Sequence, residues 1–197
     1  MEDHQLIEQI KAGDQDAFDM LYEKYMNLAV RTAYLIAGNL TDSEDIVRES
    51  FVKAYLHIHS LSKNASFKPW FLKIVTRTAW AFCQKKMTEF ADANIEEKVD
   101  HPDEKDSLDH ILQTEQSNIL YHAIRELDIK HRSVVVLYYY DQLTTKEISI
   151  ICNCLEGTVK SRLFIARKKL KEALQEWKKE EETSYEKIRS EHYHSTI

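Results

Sequence analysis

Residues 143–171, LTTKEISIICNCLEGTVKSRLFIARKKLK, carry the densest set of local folding instructions in the chain. Thr144 followed three residues later by Glu147 is a capping box: hydroxyl and carboxylate each take up an amide that the first helical turn leaves without a partner. A short helix is expected from there, with Thr145 in its first turn and Ile151 near its end. Asn153 falls where the chain must turn, because asparagine tolerates positive φ better than most residues. A second helix then opens near Gly157, which makes a helix-turn-helix.

Winding the second helix at about 100° per residue gathers Val159, Leu163, Ala166 and Leu170 on one face. Opposite lie Lys160, Ser161, Phe164, Lys168 and Lys171, flanked by Arg162 and Arg167. Such charge suits DNA phosphates. Thr158, Lys160, Ser161 and Arg162, near the helix start, are placed to reach base edges or phosphates in a major groove. A basic helix solvated in any small bundle shows the same periodicity, so the pattern alone leaves both readings open.

The run EISIICNCLEGTVKSRLFIARKKL is similar to the carboxy-terminal helix-turn-helix of bacterial sigma-70 family factors, especially the extracytoplasmic-function (ECF) group. Glu147-Ile148 matches the family opening, Gly157-Thr158-Val159-Lys160-Ser161-Arg162 matches its central hexapeptide in full, and Ala166-Arg167 with Leu170 follow. Ser149 replaces an alanine, Asn153 the usual glycine, and Leu155 a common capping serine, which weakens capping slightly. The resemblance implies a −35 promoter element reader. Its candidate contacts are Lys146, Glu156, Gly157, Thr158, Lys160, Ser161, Arg162, Phe164 and Lys168, with Lys160, Arg162 and Lys168 on phosphates and Glu156, Thr158 and Ser161 choosing bases.

The composition of the chain is helix-rich. Only 3 Gly and 2 Pro in 197 residues are available to interrupt helices, and 43% hydrophobic with 30% charged residues suits a soluble protein of one domain or two small ones. No apolar run is long enough to span a bilayer and no signal peptide is evident, so a cytoplasmic location is expected. Cys83, Cys152 and Cys154 are too few and too ill-spaced for a disulfide framework or a zinc site and read as small buried hydrophobes. A net charge of −6 argues against a nucleic-acid partner only as an average. The bases concentrate in the helix just described, whereas Glu89, Asp92, Glu96, Glu97, Asp100, Asp103, Glu104, Asp106, Asp109 and Glu115 crowd the middle of the chain.

From the start, Leu6, Ile7 and Ile10 form a short apolar stripe, and Ala17, Phe18, Leu21, Tyr22, Tyr25, Leu28 and Ala29 a longer one beyond a break at Gly13-Asp14. After Gly38-Asn39, Thr41-Asp42-Ser43 offers caps for a helix to about Leu61, carrying Ile46, Val47, Phe51, Ala54 and Tyr55 at helical spacing. Asp42, Glu44, Asp45 and Glu49 favour its amino end through the helix dipole. That role alone accounts for them, yet the run DSEDIVRESFVK also resembles the sigma-family helix that binds the clamp helices of the largest RNA polymerase subunit. Carried over, Asp42, Glu44, Asp45, Arg48, Glu49, Phe51 and Val52 become polymerase contacts, with Arg48 in place of the usual glutamine.

A polar loop, residues 60–68, precedes a helix expected to start after Pro69, a residue suited to the first turn. Trp70, Phe71, Ile74, Val75, Thr78 and Phe82 alternate there with Lys68, Lys73, Arg77, Lys85 and Lys86. Rings and lysines together suit single-stranded DNA, although core packing explains most of the rings. The segment FKPWFLKI resembles the family's promoter-melting region, which implies that Asn64, Phe67, Lys68, Trp70, Lys73 and Arg77 handle the −10 element, the first three around a base flipped from the stack. Arg77 replaces a common asparagine and Ala81 a common aspartate.

Residues 88–109 read as an acidic flexible linker, which in the family threads the polymerase RNA exit channel. Amphipathic spacing returns at Ile111, Leu112, Ile119, Leu120, Ala123, Ile124 and Leu127. Residues 132–139 resemble the helix that precedes the family's helix-turn-helix, although Leu127-Asp128-Ile129 lacks the usual proline. Residues 176–197 are expected to be a frayed helix or a disordered tail.

No catalytic or metal-ligand constellation is present; His57, His59, His192 and His194 have no acids or cysteines at ligand spacing. No cofactor and no enzymatic activity are expected. The fold expected is all-α, with two small helical domains, residues 1–87 and 110–175, joined by the linker. Partners implied by the resemblance are core RNA polymerase, through the clamp helices and the flap of the second-largest subunit, then promoter DNA, and an anti-sigma factor that is membrane-anchored in many relatives. The competing readings are a response-regulator-type activator that binds duplex DNA alone and a helical protein that sequesters another regulator.

Overall fold

The structure is a computed structural model that describes residues 2–62, 65–93 and 115–194, with side chains to 89 in the second stretch and from 119 to 177 in the third. Asn64 and most of the acidic linker lie outside the described residues. Eight α-helices are described: α1 (Asp3–Lys11), α2 (Gln15–Ala37), α3 (Leu40–His57), α4 (Phe67–Ala93), α5 (Glu115–Arg125), α6 (Ile129–Val135), α7 (Thr145–Cys152) and α8 (Glu156–His194).

Breaks fall where the backbone demands them. Gly13 and Gly38 both take φ 93, a left-handed conformation open to glycine at little cost. Asp14 then caps α2 by accepting from the Ala17 amide at 3.2 Å. The α3 cap is Asn39, accepting from the Asp42 amide at 2.8 Å, and not Thr41, Asp42 or Ser43. Helix α4 begins at Phe67, two residues before Pro69, and continues to Ala93, so the first residues assigned to the linker are helical.

Helices α1 to α4 bury Leu21, Ala29, Ile36, Ile46, Phe51, Phe67, Phe71 and Val75 in one core. Its aromatics pack tilted and stacked, with Phe51 and Phe71 centroids 4.6 Å apart and Phe67 and Phe71 5.3 Å apart. The carboxy-terminal helices bury Val134, Leu137, Ile148, Ile151, Val159 and Leu163. Asp128 replaces the missing proline at the start of α6, accepting from the Lys130 and His131 amides at 3.2 Å. A π-helical turn, Val136–Tyr140, follows α6 and inserts an extra residue before the helix-turn-helix.

The two helical groups pack directly on each other. Leu72 of α4 is fully buried among the carboxy-terminal apolar residues, and Tyr121 of α5 stacks on Tyr34 of α2, centroids 5.0 Å apart. Nothing in the sequence announced this contact. Helix α8 runs unbroken to His194, where a frayed or disordered tail was expected. At about 1.5 Å per residue it is close to 60 Å long.

Candidate nucleic-acid interface

The helix-turn-helix is built as its caps require. Thr144 accepts from the Glu147 amide at 3.2 Å while the Glu147 carboxylate accepts from the Thr144 amide at 2.8 Å. Asn153 takes φ 50, ψ 52 and ends α7. Val159, Leu163 and Ala166 are buried and Leu170 half-buried, which leaves Lys160, Ser161, Phe164, Arg167 and Lys168 exposed. Phe164 is 66% exposed between lysines, an arrangement a folded core does not need. Gly157 has open space where a side chain would point, so internal packing does not require its smallness.

Glu156 is already engaged: Lys160 Nζ lies 2.8 Å from its carboxylate and Thr145 Oγ1 donates to it at 2.7 Å. These hydrogen bonds, that from Lys160 foremost, hold its pKa below the ordinary glutamate value. Glu156 therefore presents an oriented acceptor at the tip of α8. Arg162 points inward instead, with Nη1 3.8 Å from Cys154 Sγ. Cys152 is buried and its thiol pKa is pushed up to about 12 by desolvation, so it is an unreactive packing group.

On α3 the proposed polymerase contacts divide. Glu44, Asp45, Arg48, Glu49 and Val52 are exposed, with Arg48 Nη1 3.1 Å from Asp45 Oδ1 and Lys53 Nζ 2.6 Å from Glu49 Oε1. Asp42 is buried, accepts from Asn39, and is paired at 2.6 Å with Lys86 of α4. Phe51 is 4% exposed in the core. Both therefore shape this face from beneath. Sequence reasoning missed its apolar part: Tyr22 and Tyr55, read from spacing as core, stand exposed with Leu56 and Val52, Tyr22 against Phe51 with ring centroids 4.5 Å apart.

The proposed −10 residues are also divided. Phe67 is 1% exposed and is core, while Trp70 and Lys73 are half-buried. Beside Phe67 a cleft of about 420 Å³ opens between α1 and the start of α4, lined by Asp3, Glu8, Lys11, Lys24 and Ser66 among others. Helix α1 had no assigned part in this region. Lys68 and Arg77 reach the other helical group: Lys68 Nζ donates to the Asp141 carbonyl at 2.6 Å and Arg77 Nε to the Ile151 carbonyl at 3.3 Å. Of all the groups at this junction, Asp141 was wholly overlooked. Its carboxylate is fully buried between Thr32 and Arg31, and desolvation pushes its pKa up to about 6.

Among the described residues no group of His, Cys, Asp and Glu is placed to hold a metal ion, and no helix is long and apolar enough to cross a membrane.

A helical body with an acidic and apolar face, followed by a second one with a helix-turn-helix that exposes a basic face, is the architecture of a two-part DNA-binding protein. Comparison with known proteins agrees: the sigma-70 region 2 family model matches residues 21–87 and the sigma-70 region 4 model residues 117–170. The chain is 34% identical to the ECF RNA polymerase sigma factor SigW of Bacillus subtilis (strain 168) over 178 residues, 86% of this chain and 95% of that one. It is 29% identical to the ECF RNA polymerase sigma-E factor of Escherichia coli (strain K12) over 184 residues, 88% and 94% of the two chains. Among solved structures, the sigma factor RpoE in complex with the anti-sigma factor NepR from Bartonella quintana is similar with TM-score 0.65 and 25% identity, covering 80% of this chain and 96% of that one. CnrH in complex with the cytosolic domain of CnrY shares the fold with TM-score 0.64 and 20% identity over 88% and 97%. The chain belongs to the ECF group of the sigma-70 family and is a promoter-specific transcription initiation factor.

Proposed function

We propose that region 2 of this chain grips core RNA polymerase and opens the −10 element while region 4 reads the −35 element, with no middle region between them. The observation that carries this reading is the presence in one chain, in that order, of a region 2 match ending at 87 and a region 4 match starting at 117. The functional boundaries are residues 1–87, an acidic linker 88–109, residues 110–175 and a charged extension 176–197.

Glu44, Asp45, Arg48, Glu49 and Val52, joined by Tyr22, Tyr55 and Leu56, offer the clamp helices charge around an exposed apolar centre, the usual anatomy of a protein interface. Lys68, Trp70, Lys73 and Arg77 handle the −10 strand, and the cleft beside Phe67 takes an extruded base. Lys146, Lys160 and Lys168 attract −35 phosphates, and Glu156, Thr158, Ser161 and Phe164 read base edges, Phe164 through a thymine methyl. Region 4 also meets the polymerase flap. The protein works in the cytoplasm, performs no catalysis itself and serves a stress or envelope-response regulon. An anti-sigma factor restrains it, as NepR and CnrY are bound to the neighbours RpoE and CnrH.

The test is footprinting of reconstituted holoenzyme on a promoter mapped from cells. Lys160→Glu should retain core binding, measured by co-migration, and lose protection at −35. Unchanged −35 protection would reject that assignment.

A further inference from the structure

Asp141 is the only carboxylate among the described residues that is completely shielded from solvent, and the mechanism above leaves it unused. It sits at the carboxy-terminal end of the π-helical turn, immediately before the helix-turn-helix, where its amide donates to the Val136 carbonyl at 3.1 Å, yet the partners of its carboxylate belong to region 2. From α2, Thr32 Oγ1 lies 3.0 and 3.1 Å from its two carboxylate oxygens and Arg31 Nη2 lies 3.5 Å away. From α4, Lys68 Nζ donates to its carbonyl at 2.6 Å. Arg31 Nη2 also donates to the Tyr140 carbonyl at 3.1 Å. Outside this knot the same junction is held by Arg77 on the Ile151 carbonyl, by Trp80 Nε1 donating to Ser133 Oγ at 2.8 Å, and by Arg132 Nη1 donating to the Ile36 carbonyl at 2.9 Å.

We propose that Asp141 is the pin of a clasp between region 4 and region 2 that closes the free protein, engaging Lys68 and Arg77 of its −10 residues and leaving its −35 helix open. The functional half of this statement rests on the reading given above; the closure itself does not. Lys68 and Arg77, two of the −10 candidates, spend their charges on carbonyls of region 4. Meanwhile Lys160, Phe164 and Lys168 remain exposed. Elements at −35 and −10 are separated by about 25 base pairs, or about 85 Å of duplex at about 3.4 Å each. A chain whose Arg77 touches Ile151 of the helix-turn-helix cannot occupy both.

The clasp is built to open. Thr32 has one hydroxyl proton and lies within reach of both Asp141 and the Leu28 carbonyl, 2.9 Å away, so one acceptor goes without it whenever Asp141 is ionised. Arg31 Nε is buried and finds no partner among the described residues. Gln142, next to the pin, holds φ 56, a left-handed conformation that side chains disfavour. Unmet polar groups and a strained turn lower the cost of separating two surfaces whose apolar content favours closure. Binding of core polymerase to the open form then draws the equilibrium over, at an apparent affinity reduced by the small open fraction.

Amine acetylation of the full-length protein followed by mass spectrometry tests the clasp without polymerase or DNA. In the wild type, Lys68 should label about tenfold more slowly than Lys160 and Lys168. Asp141→Arg, which sets a third cation against Arg31 and Lys68, should bring Lys68 to the rate of Lys168 and enlarge the radius of gyration in solution scattering, with helix content unchanged. Should that variant lose helix content, Thr32→Val, which exchanges one hydroxyl for a methyl, carries the same two readouts. Equal labelling of Lys68 and Lys168 in the wild type, or slow labelling and an unchanged radius in the folded variants, would overturn the proposal. In a separate arm, purified core polymerase should bind Asp141→Arg about tenfold more tightly than wild type. Absence of any core binding by the wild type would refute the sigma-factor roles while leaving the labelling result to judge the clasp.

Discussion

The contribution of Asp141 to stability should fall as pH rises through the acid range. Its folded-state pKa is about 6 against an ordinary value of 3.8, because desolvation outweighs the help of Thr32, Arg31 and Lys68. Between those values the folded protein holds the proton and the unfolded chain has released it, so raising the pH favours unfolding; above the higher value both forms are ionised and the effect is complete. A gap of about two pH units, at about 1.4 kcal/mol each, amounts to about 3 kcal/mol. The other carboxylates push the opposite way as they gain charge in paired positions, so the raw pH profile mixes both. Urea unfolding of wild type and Asp141→Asn at intervals from pH 4 to pH 7 separates them, since asparagine fills the same space and cannot titrate. The stability of wild type relative to the variant should decline by about 2.4 kcal/mol from pH 4 to pH 7, the part of the total that lies above pH 4, and then level off. A difference that stays constant from pH 4 to pH 7 would show that the carboxyl is not desolvated and that the junction does not close over it.

Three further substitutions separate structure from interface. Phe51→Ala should cost about 3–5 kcal/mol in urea unfolding because Phe51 lies in a stacked aromatic core, whereas Val52→Asp, at an exposed position next to it, should shift stability by no more than about 0.5 kcal/mol and weaken core polymerase binding; similar stability losses for the two would erase the distinction. Thr144→Ala removes one half of the capping box and should cost about 1 kcal/mol, read as a lower unfolding midpoint. Lys168→Ala should weaken binding to −35 duplex evenly across sequences and reduce the salt slope by about 0.9, the signature of one phosphate contact. A sequence-dependent loss would instead make Lys168 a base reader.

What the sequence made legible was local chemistry. The Thr144 and Glu147 box, the left-handed Asn153 and the inward Val159, Leu163 and Ala166 each depend on neighbours within about one helical turn, and each stands in the structure as read. Family likeness marked the two functional helices but could not sort their residues by depth. Asp42, Phe51 and Phe67 belong to the recognisable motifs and are buried because α4 packs over the first two and seats the third against Tyr25 of α2, a fact of packing that no spacing rule carries. The α3 cap shifted to Asn39 for a similar reason: several polar residues in a row can cap, and only the backbone path selects one. The junction was wholly invisible. Asp141 lies 109 positions from Thr32 and 73 from Lys68, and its own surroundings, a tyrosine and a glutamine, announce nothing. The continuous α8 was underestimated because charged residues permit a long helix without demanding one.

Run-off transcription with purified core polymerase is the most direct measurement, using a template that carries a promoter mapped in cells dependent on this protein. Core enzyme with the chain added should yield a discrete transcript from that promoter, and core enzyme alone should yield none. A protein that binds the same template tightly yet leaves core polymerase as non-specific as before would contradict the division of labour between the two regions.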